Sequence, residues 1–218
     1  MEDLIRALSL GMILTSFVAV ESRSLRRALY AYMAQALLMV AVIAAFATYH
    51  EALAVWAATA LVTKFGIVSW LLFRAVSRGD ETECPPRVGP VASAVIVGVI
   101  AVMAYQLVHR NVSFLAPTPA AEVEPFRTNV AVALTLVAVG IYAIVSRRDA
   151  LKVVLGVCLI ENGAHLSLVT LATTMRETVL AGVATDVVVA VVLLLYLIRG
   201  IEERIGSRDT GRLTLLRG

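Results

Sequence analysis

Seven apolar blocks, each long enough to cross a lipid bilayer, limit this chain to one class of fold. A helix needs about 20 consecutive apolar residues to span hydrocarbon. The chain is 60% hydrophobic and 16% charged, against about 45–50% and 25% in soluble domains. The sequence therefore predicts an all-α integral membrane protein with seven transmembrane helices, at residues 4–20, 28–48, 52–73, 90–108, 129–146, 150–174 and 178–198.

Helix-breaking residues set two of the boundaries between these spans. The predicted loops at 77–89 and 109–128 are polar and contain Gly79, Pro85, Pro86, Pro117, Pro119 and Pro125. Proline removes a backbone donor and ends a helix. The turns near residues 50 and 176 depend only on the charged pairs His50-Glu51 and Arg176-Glu177.

The positive charges are distributed unequally between the two sides of the predicted bundle. Of the 19 lysines and arginines, 14 fall on one side, Lys64 lies within a span, and the other side holds only Arg6, Arg110, Arg127 and Arg176. Cytoplasmic loops of membrane proteins are enriched in these residues. The N-terminus is therefore predicted outside and the C-terminus in the cytoplasm. The acidic start, Met1-Glu2-Asp3, favours a retained first helix over a cleaved signal peptide.

Three spans carry an ionisable residue near their centres, namely Lys64, Glu161 and Asp186. A charged side chain at a helix centre costs about 2.5–3.5 kcal/mol on the insertion scale, whereas a leucine contributes only about 0.3–0.6 kcal/mol. Such residues face the bundle interior or a water-filled cavity. We therefore expect these three side chains to point away from lipid.

These residues predict a proton relay. The protonation of a carboxyl in a membrane interior responds to desolvation and to nearby charges. His165 lies one turn after Glu161 on the same helix face, where an imidazole could pass protons. Cys158 and Asn162 widen that face into a polar stripe. Two structural alternatives remain: Glu161 as hydrogen-bonding glue between helices, and Lys64 with Asp186 as a static buried pair.

Several other functions have no sequence support. The two cysteines form no CxxC pair, so no iron–sulfur, haem or zinc ligand set is present. No glycine-rich nucleotide-binding motif occurs, and no basic surface interleaved with aromatic residues suggests nucleic acid. We predict no catalytic centre, cofactor or metal site in this chain.

The C-terminal part, about residues 129–200, resembles the three-helix K subunit of respiratory complex I and the C subunit of Mrp-type antiporters. The resemblance rests on Arg147-Arg148-Asp149, Gly156-Val157-Cys158, Asn162, and Asp186 ahead of Leu193-Leu194-Leu195. The family's first helix runs from outside to cytoplasm, as the arginine distribution predicts here.

Two acidic positions differ from the K-subunit pattern. Cys158 stands where that family has its first glutamate, and the carboxylate is Glu161, about 4.5 Å farther along the helix. Asp186 replaces the second glutamate with a side chain one methylene shorter. The resemblance thus implies a similar role for these acids in a different geometry.

Over its whole length the chain resembles membrane component E of hydrogenase 4, and the Glu161-Asn162 pair matches that family's sixth span. The resemblance implies a non-catalytic membrane-arm subunit of a formate hydrogenlyase-type complex in the inner membrane. Its implied partners are antiporter-like membrane subunits and, indirectly, the hydrogenase and iron–sulfur subunits. It divides the chain into a four-helix segment (1–108), an external loop (109–128), a K-subunit-like unit (129–200) and a cytoplasmic tail (201–218).

Three alternative functions remain at this point. The chain could be a purely structural scaffold that docks neighbouring antiporter-like subunits. It could instead belong to a cation/proton antiporter complex, or act as a free-standing transporter. The last alternative lacks the interrupted helix that usually forms a substrate site.

Overall fold

A computed structural model describes residues 2–48, 51–77, 82–115, 122–171 and 177–215 as a bundle of helices. A π-helical segment, Leu61–Val68, joins α3 and α4 into one continuous rod, and a 3₁₀ turn, Thr210–Leu215, follows the last helix. The α-helices are α1 (Glu2–Glu21), α2 (Leu25–Phe46), α3 (Ala52–Ala60), α4 (Ser69–Val76), α5 (Pro90–Leu115), α6 (Phe126–Ser146), α7 (Ala150–Leu171) and α8 (Glu177–Ile205).

Six of these helical rods are long and apolar enough to cross a membrane: α1, α2, the rod over Leu53–Val76, α5, α6 and α7. The chain is thus a multi-pass membrane protein, and the predicted all-α class is confirmed for the described residues. The seventh predicted span, 178–198, lies within the 29-residue helix α8, and its membrane crossing stays a prediction. The predicted turns at His50 and Arg176 lie outside the described residues.

Two helices begin or end at different residues from the predicted spans, and side-chain hydrogen bonds to the backbone are found at both places. Helix α5 continues past residue 108 to Leu115, but its backbone leaves helical geometry at Asn111. The Asn111 side chain donates to the Leu107 carbonyl at 3.1 Å, an example of a side chain competing with the helical ladder. Helix α6 begins three residues before 129, where Glu124 accepts hydrogen bonds from the backbone N–H and hydroxyl of Thr128.

The π segment is the main feature of the fold that the sequence does not predict. Eight residues, Leu61–Val68, adopt this wider helix in the middle of the third span, and Lys64 lies within it. Its wider turn is stabilised locally by the Ser69 hydroxyl, which donates to the Lys64 carbonyl at 3.1 Å. π-Helical turns are rare and occur frequently at functional sites.

Helices α6 and α7 are in direct backbone contact because glycines line their interface. A Cβ atom placed on Gly140 would lie 2.6 Å from the Gly156 carbonyl oxygen, and one on Gly163 would lie 2.7 Å from the Ala133 carbonyl oxygen. Small residues permit such close approach in membrane bundles. This contact fixes α7, which carries Glu161, against α6.

Two apolar clusters divide the bundle along its length. One packs the α3 residues Leu53 and Trp56 with Leu166 of α7. The other cluster brings together four parts of the bundle: the N-terminal half of α2, helix α4, the first turns of α7 up to Cys158, and α8. Lys64 and Glu161 fall between these two clusters along their own helices.

We expect Gly156→Ala to destabilise the bundle, because its Cβ would lie 2.9 Å from the Gly140 carbonyl oxygen. Overpacking of this kind costs about 1–3 kcal/mol. The measurement is the melting temperature of the purified chain in detergent. The matched control is Gly98→Ala on α5, where no neighbouring atom lies within 4 Å. Equal melting temperatures for the two variants would contradict the backbone contact.

Candidate functional site

Lys64 makes the central polar contact of the bundle. Its Nζ atom lies 2.7 Å from Asn162 Oδ1 and 3.1 Å from Glu161 Oε2. The Lys64 side chain is fully buried, and that of Glu161 is 19% exposed. A buried ammonium group is tolerated only with partners of this kind. The third and sixth predicted spans are therefore joined by an ion pair inside their apolar length.

Glu161 connects this lysine to a histidine. While Oε2 faces Lys64, the other carboxylate oxygen, Oε1, lies 3.4 Å from His165 Nε2. Because His165 follows Glu161 by four residues on α7, the two side chains lie on one helix face. The His165 ring packs edge-on against Trp56 of α3, with 5.5 Å between ring centroids. Four predicted residues, Lys64, Glu161, Asn162 and His165, thus meet at one place, which we call the Lys64 site.

The other two predicted residues occupy different positions. Cys158 is fully buried one turn before Asn162 and adjoins Tyr32 of α2. Asp186 is exposed on α8, although it is near enough for its charge to act on the Glu161 carboxyl. The alternative of a static pair between Lys64 and Asp186 is not what the structure shows, because Lys64 pairs with Glu161 instead.

A second buried polar network lies at the end of the bundle where α6 meets α7. We call this the arginine end. Arg147, only 2% exposed, donates to Glu21 at 2.6 Å and to the Ser93 hydroxyl at 2.9 Å. The Ser93 hydroxyl in turn donates to Glu21 and accepts from the Tyr142 hydroxyl at 2.7 Å. This network ties together the ends of α1, α5 and α6.

Lys152 caps the C-terminus of α1 from within α7. Its Nζ atom donates to the carbonyl oxygens of Ala19, Val20 and Ser22 at 2.7–3.0 Å. The last carbonyls of a helix have no partner inside it, and a cation there also favours the helix dipole. All three ammonium protons of Lys152 therefore have acceptors, which explains how this lysine is 1% exposed.

Glu83 brings the loop after α4 into the same network. Its carboxylate lies 3.5 Å from Arg147 and 3.7 Å from Lys152, and its backbone N–H donates to the Arg23 carbonyl at 2.8 Å. Burial raises the pKa of Glu83, and the charges of Lys152 and Arg147 act in the opposite direction. The neighbouring Cys84 thiol has its pKa raised to about 11 by burial and by Asp149, so it is largely protonated at neutral pH.

The C-terminal tail returns to the arginine end and binds the start of α7. The Ala150 N–H donates to the Arg208 carbonyl at 3.1 Å, and the Thr210 N–H donates to the Arg148 carbonyl at 2.9 Å. Asp149 is fully buried, caps α7 through the Leu151 N–H at 2.9 Å, and accepts from the Cys84 N–H. The tail and the loop containing Cys84 thus meet at Asp149.

Sequence reasoning missed most of this network. It treated Arg147 as part of a family motif and Lys152 as a positive charge on one side of the membrane, and it predicted no burial for either, yet both are buried. Glu83 and Ser93 gave no signal, since each lies in a polar loop or near a helix start. Within the described ranges, no three histidine, cysteine, aspartate or glutamate side chains are grouped to hold a metal ion.

Comparison with known proteins identifies the relatives of this chain. Residues 129–218, which include most of α6, all of α7 and α8, and the tail, match the family model for NADH-ubiquinone/plastoquinone oxidoreductase chain 4L. The chain is 31% identical over 211 residues to hydrogenase-4 component E of Escherichia coli (strain K12), covering 95% of this chain and 94% of that protein. The same values hold for hydrogenase-4 component E of Escherichia coli O157:H7 and of Shigella flexneri.

The chain belongs to the hydrogenase-4 component E family. The resemblance inferred from the Glu161-Asn162 pair is confirmed at the level of the family. No solved structure matches the chain significantly. In this member of the family, the Lys64 site combines residues from two regions: Glu161, Asn162 and His165 lie within the part that matches chain 4L, and Lys64 lies before it.

We expect Lys152→Met to lower stability strongly, because it removes the buried cation from the carbonyl groups of Ala19, Val20 and Ser22 and one of the two cations from Glu83. Breaking a buried charge pair by removing one partner costs about 3–5 kcal/mol. Thermal denaturation of the purified chain, followed by size-exclusion chromatography, measures the loss. Arg148→Met is the control, since it removes the same charge from an exposed neighbour. Equal stability of both variants would show that Lys152 does not hold α1 in place.

Proposed function

We propose that this chain is a membrane-arm subunit of a complex I-like hydrogenase, and that the Lys64 site takes part in moving protons or sodium ions. Family membership supports the first part. The second part rests on one observation, the contact of buried Lys64 with Glu161 and Asn162. The hydrogenase chemistry would belong to other subunits of the complex.

The geometry of the Lys64 site suits proton transfer. The Glu161 carboxylate lies between an ammonium group and an imidazole, with one oxygen toward each. When the shared proton is on Lys64, the two side chains form an ion pair; when it is on Glu161, both are neutral. A nearby charge shifts the balance between these two states. His165 offers a second ring nitrogen for passing the proton on. The protonation of Glu161 and Lys64 therefore responds to charges brought near the site.

Asp186 provides the contact with a neighbouring subunit in this proposal. Its carboxylate is exposed on α8 together with Val189, Leu193 and Tyr196, which recur on one helix face. A carboxylate facing lipid at this depth is unfavourable. We infer that an antiporter-like membrane subunit covers this face of α8 and supplies a polar or cationic partner for Asp186.

The topology in this proposal has seven membrane spans, with the arginine end in the cytoplasm. Helix α7 starts at the arginine end, and the tail after α8 binds Ala150 and Arg148 at that same end. Helix α8 must therefore run back along the bundle, which supports a seventh crossing. The excess of arginines supports the cytoplasmic assignment, and the inner membrane follows for a hydrogenase complex of this type.

The alternatives make different predictions about the same residues. A purely structural scaffold would need Glu161 only for assembly, and a cation/proton antiporter subunit would work without a hydrogenase partner. A free-standing transporter would move ions when reconstituted alone. Similarity to hydrogenase-4 component E over nearly the whole chain favours the hydrogenase assignment over the antiporter complex and the free-standing transporter. A scaffold is also compatible with a hydrogenase complex, and the effect of Glu161→Gln on assembly distinguishes it from the relay.

We expect accessibility labelling to report the proposed topology. In a chain whose native cysteines are replaced, Arg110→Cys should react with an impermeant maleimide added to intact cells. Arg204→Cys, beyond α8, should react only after the membrane is permeabilised. Both positions are exposed, so a difference in labelling between them reports the side of the membrane and not burial within the protein. Labelling of Arg204→Cys in intact cells would contradict either the orientation or the seventh span.

We expect Glu161→Gln and Asp186→Asn to abolish ion translocation in membrane vesicles while the complex still assembles. Glutamine keeps an oxygen that accepts from Lys64, and Asn162 still accepts from the same ammonium group, so the buried lysine keeps two hydrogen-bond partners and the complex should assemble. Glutamine cannot take up a proton at this position. Translocation is followed with a pH-sensitive dye during hydrogenase turnover, and assembly is followed on native gels.

Glu2→Gln is the matched control, because it changes an exposed glutamate at the start of α1. Loss of the intact complex in the Glu161→Gln variant would favour the scaffold function. Normal translocation in both site variants would exclude the relay.

A further inference from the structure

A crevice of about 580 Å³ opens between α4 and α8 near the arginine end. Its walls are apolar and include Leu71 and Ala75 on one side and Leu195 and Ile198 on the other, with Leu151 of α7 at the back. Arginines and glutamates line its rim. The crevice thus combines an apolar interior with a charged opening.

Lys64 lies near the middle of the membrane span Leu53–Val76, so a crevice rim at the level of Arg74 is expected close to the end of the hydrocarbon core. Arg74 follows Lys64 by ten residues along a continuous helical rod, a distance of about 15 Å. This is half of the roughly 30 Å thickness of the hydrocarbon core. Trp70 and Tyr196, which are 57% and 75% exposed, flank the opening as aromatic residues commonly do at membrane interfaces.

Arg74 is the cation at this rim that has no acidic partner among the described residues. Arg199 pairs with Glu203 at 2.8 Å, and Arg208 pairs with Glu202 at 3.5 Å. Arg74 instead lies over the ring of Trp70, with 5.5 Å from its guanidinium carbon to the ring centroid. This cation–π contact holds the guanidinium at the opening while leaving its donors available for an anion.

We propose that this crevice binds the headgroup of an anionic phospholipid. The phosphate would accept hydrogen bonds from Arg74, and the first methylenes of the acyl chains would lie along Leu71, Leu195 and Ile198. A guanidinium matches phosphate geometry, and basic pockets between membrane helices bind such headgroups. The volume is within the range of ligand pockets and suits a headgroup with its glycerol, not a whole lipid.

The positions of the lining residues favour a lipid over an acidic segment of a neighbouring protein. The apolar walls continue from the charged rim toward the membrane interior, as a headgroup with attached acyl chains requires. A water-soluble acidic peptide would match the rim but not these walls.

The test measures phospholipid binding by the complex that co-purifies with the tagged full-length chain. After delipidation, the complex is titrated with phosphatidylglycerol or phosphatidylcholine in detergent, and bound lipid is counted by native mass spectrometry. One arginine near a membrane surface changes binding to anionic lipid about fivefold. Arg74→Gln should therefore weaken phosphatidylglycerol binding about fivefold and leave phosphatidylcholine binding unchanged.

Arg27→Gln is the matched control, since Arg27 is an exposed arginine at the same end of the bundle but outside the crevice. A photo-reactive benzophenone residue in place of Leu195, which lines the crevice wall, gives a second readout in a chain that keeps Arg74. It should crosslink to phospholipid. Equal lipid binding by both arginine variants, no preference for phosphatidylglycerol, or crosslinking to a protein subunit would overturn the proposal. Because lipid is measured directly, failure here leaves the proton-relay proposal untouched.

Discussion

The ion pair between Lys64 and Glu161 is the interaction on which the interior of this protein depends. Each charge alone would be strongly unfavourable within an apolar helix, and each makes the other acceptable. Asn162 supplies a second oxygen for Lys64, and His165 lies against the other side of Glu161. The pair therefore joins the third and sixth helical rods, and any change in its protonation alters the contact between them.

The length of the apolar blocks was sufficient to predict the helices, because a bilayer imposes a narrow range of lengths on its spans. The ionisable positions also identified Lys64 and Glu161, which meet at the Lys64 site, since mid-helix charges must face one another or water; Asp186 is instead exposed on α8. Sequence could not assign partners: Lys64 was as compatible with Asp186 as with Glu161. That choice depends on how the helices pack, which hydropathy does not specify.

The π segment and the arginine end were not predictable for a different reason. Nothing in Leu61–Val68 distinguishes a π turn from an α turn, because both use the same apolar residues. At the arginine end, Glu83 and Lys152 look like ordinary loop and interface charges. Both are buried where the loop after α4 and the C-terminal tail lie against the helix ends, and there Lys152 donates to the last carbonyl groups of α1.

The glycine contacts between α6 and α7 have a mechanical consequence for the Lys64 site. The backbones of these helices touch at Gly140 and Gly156, and the branched side chains of Ile144 and Ile160 pack closely beside that contact. Little free space is left there for one helix to shift against the other, so we expect the two to move as one rigid unit. Glu161 lies on α7, within this rigid pair of helices. Lys64 instead stands on a separate rod at its widened turn. Any change in the separation of the two charges therefore arises from movement of the rod that carries Lys64.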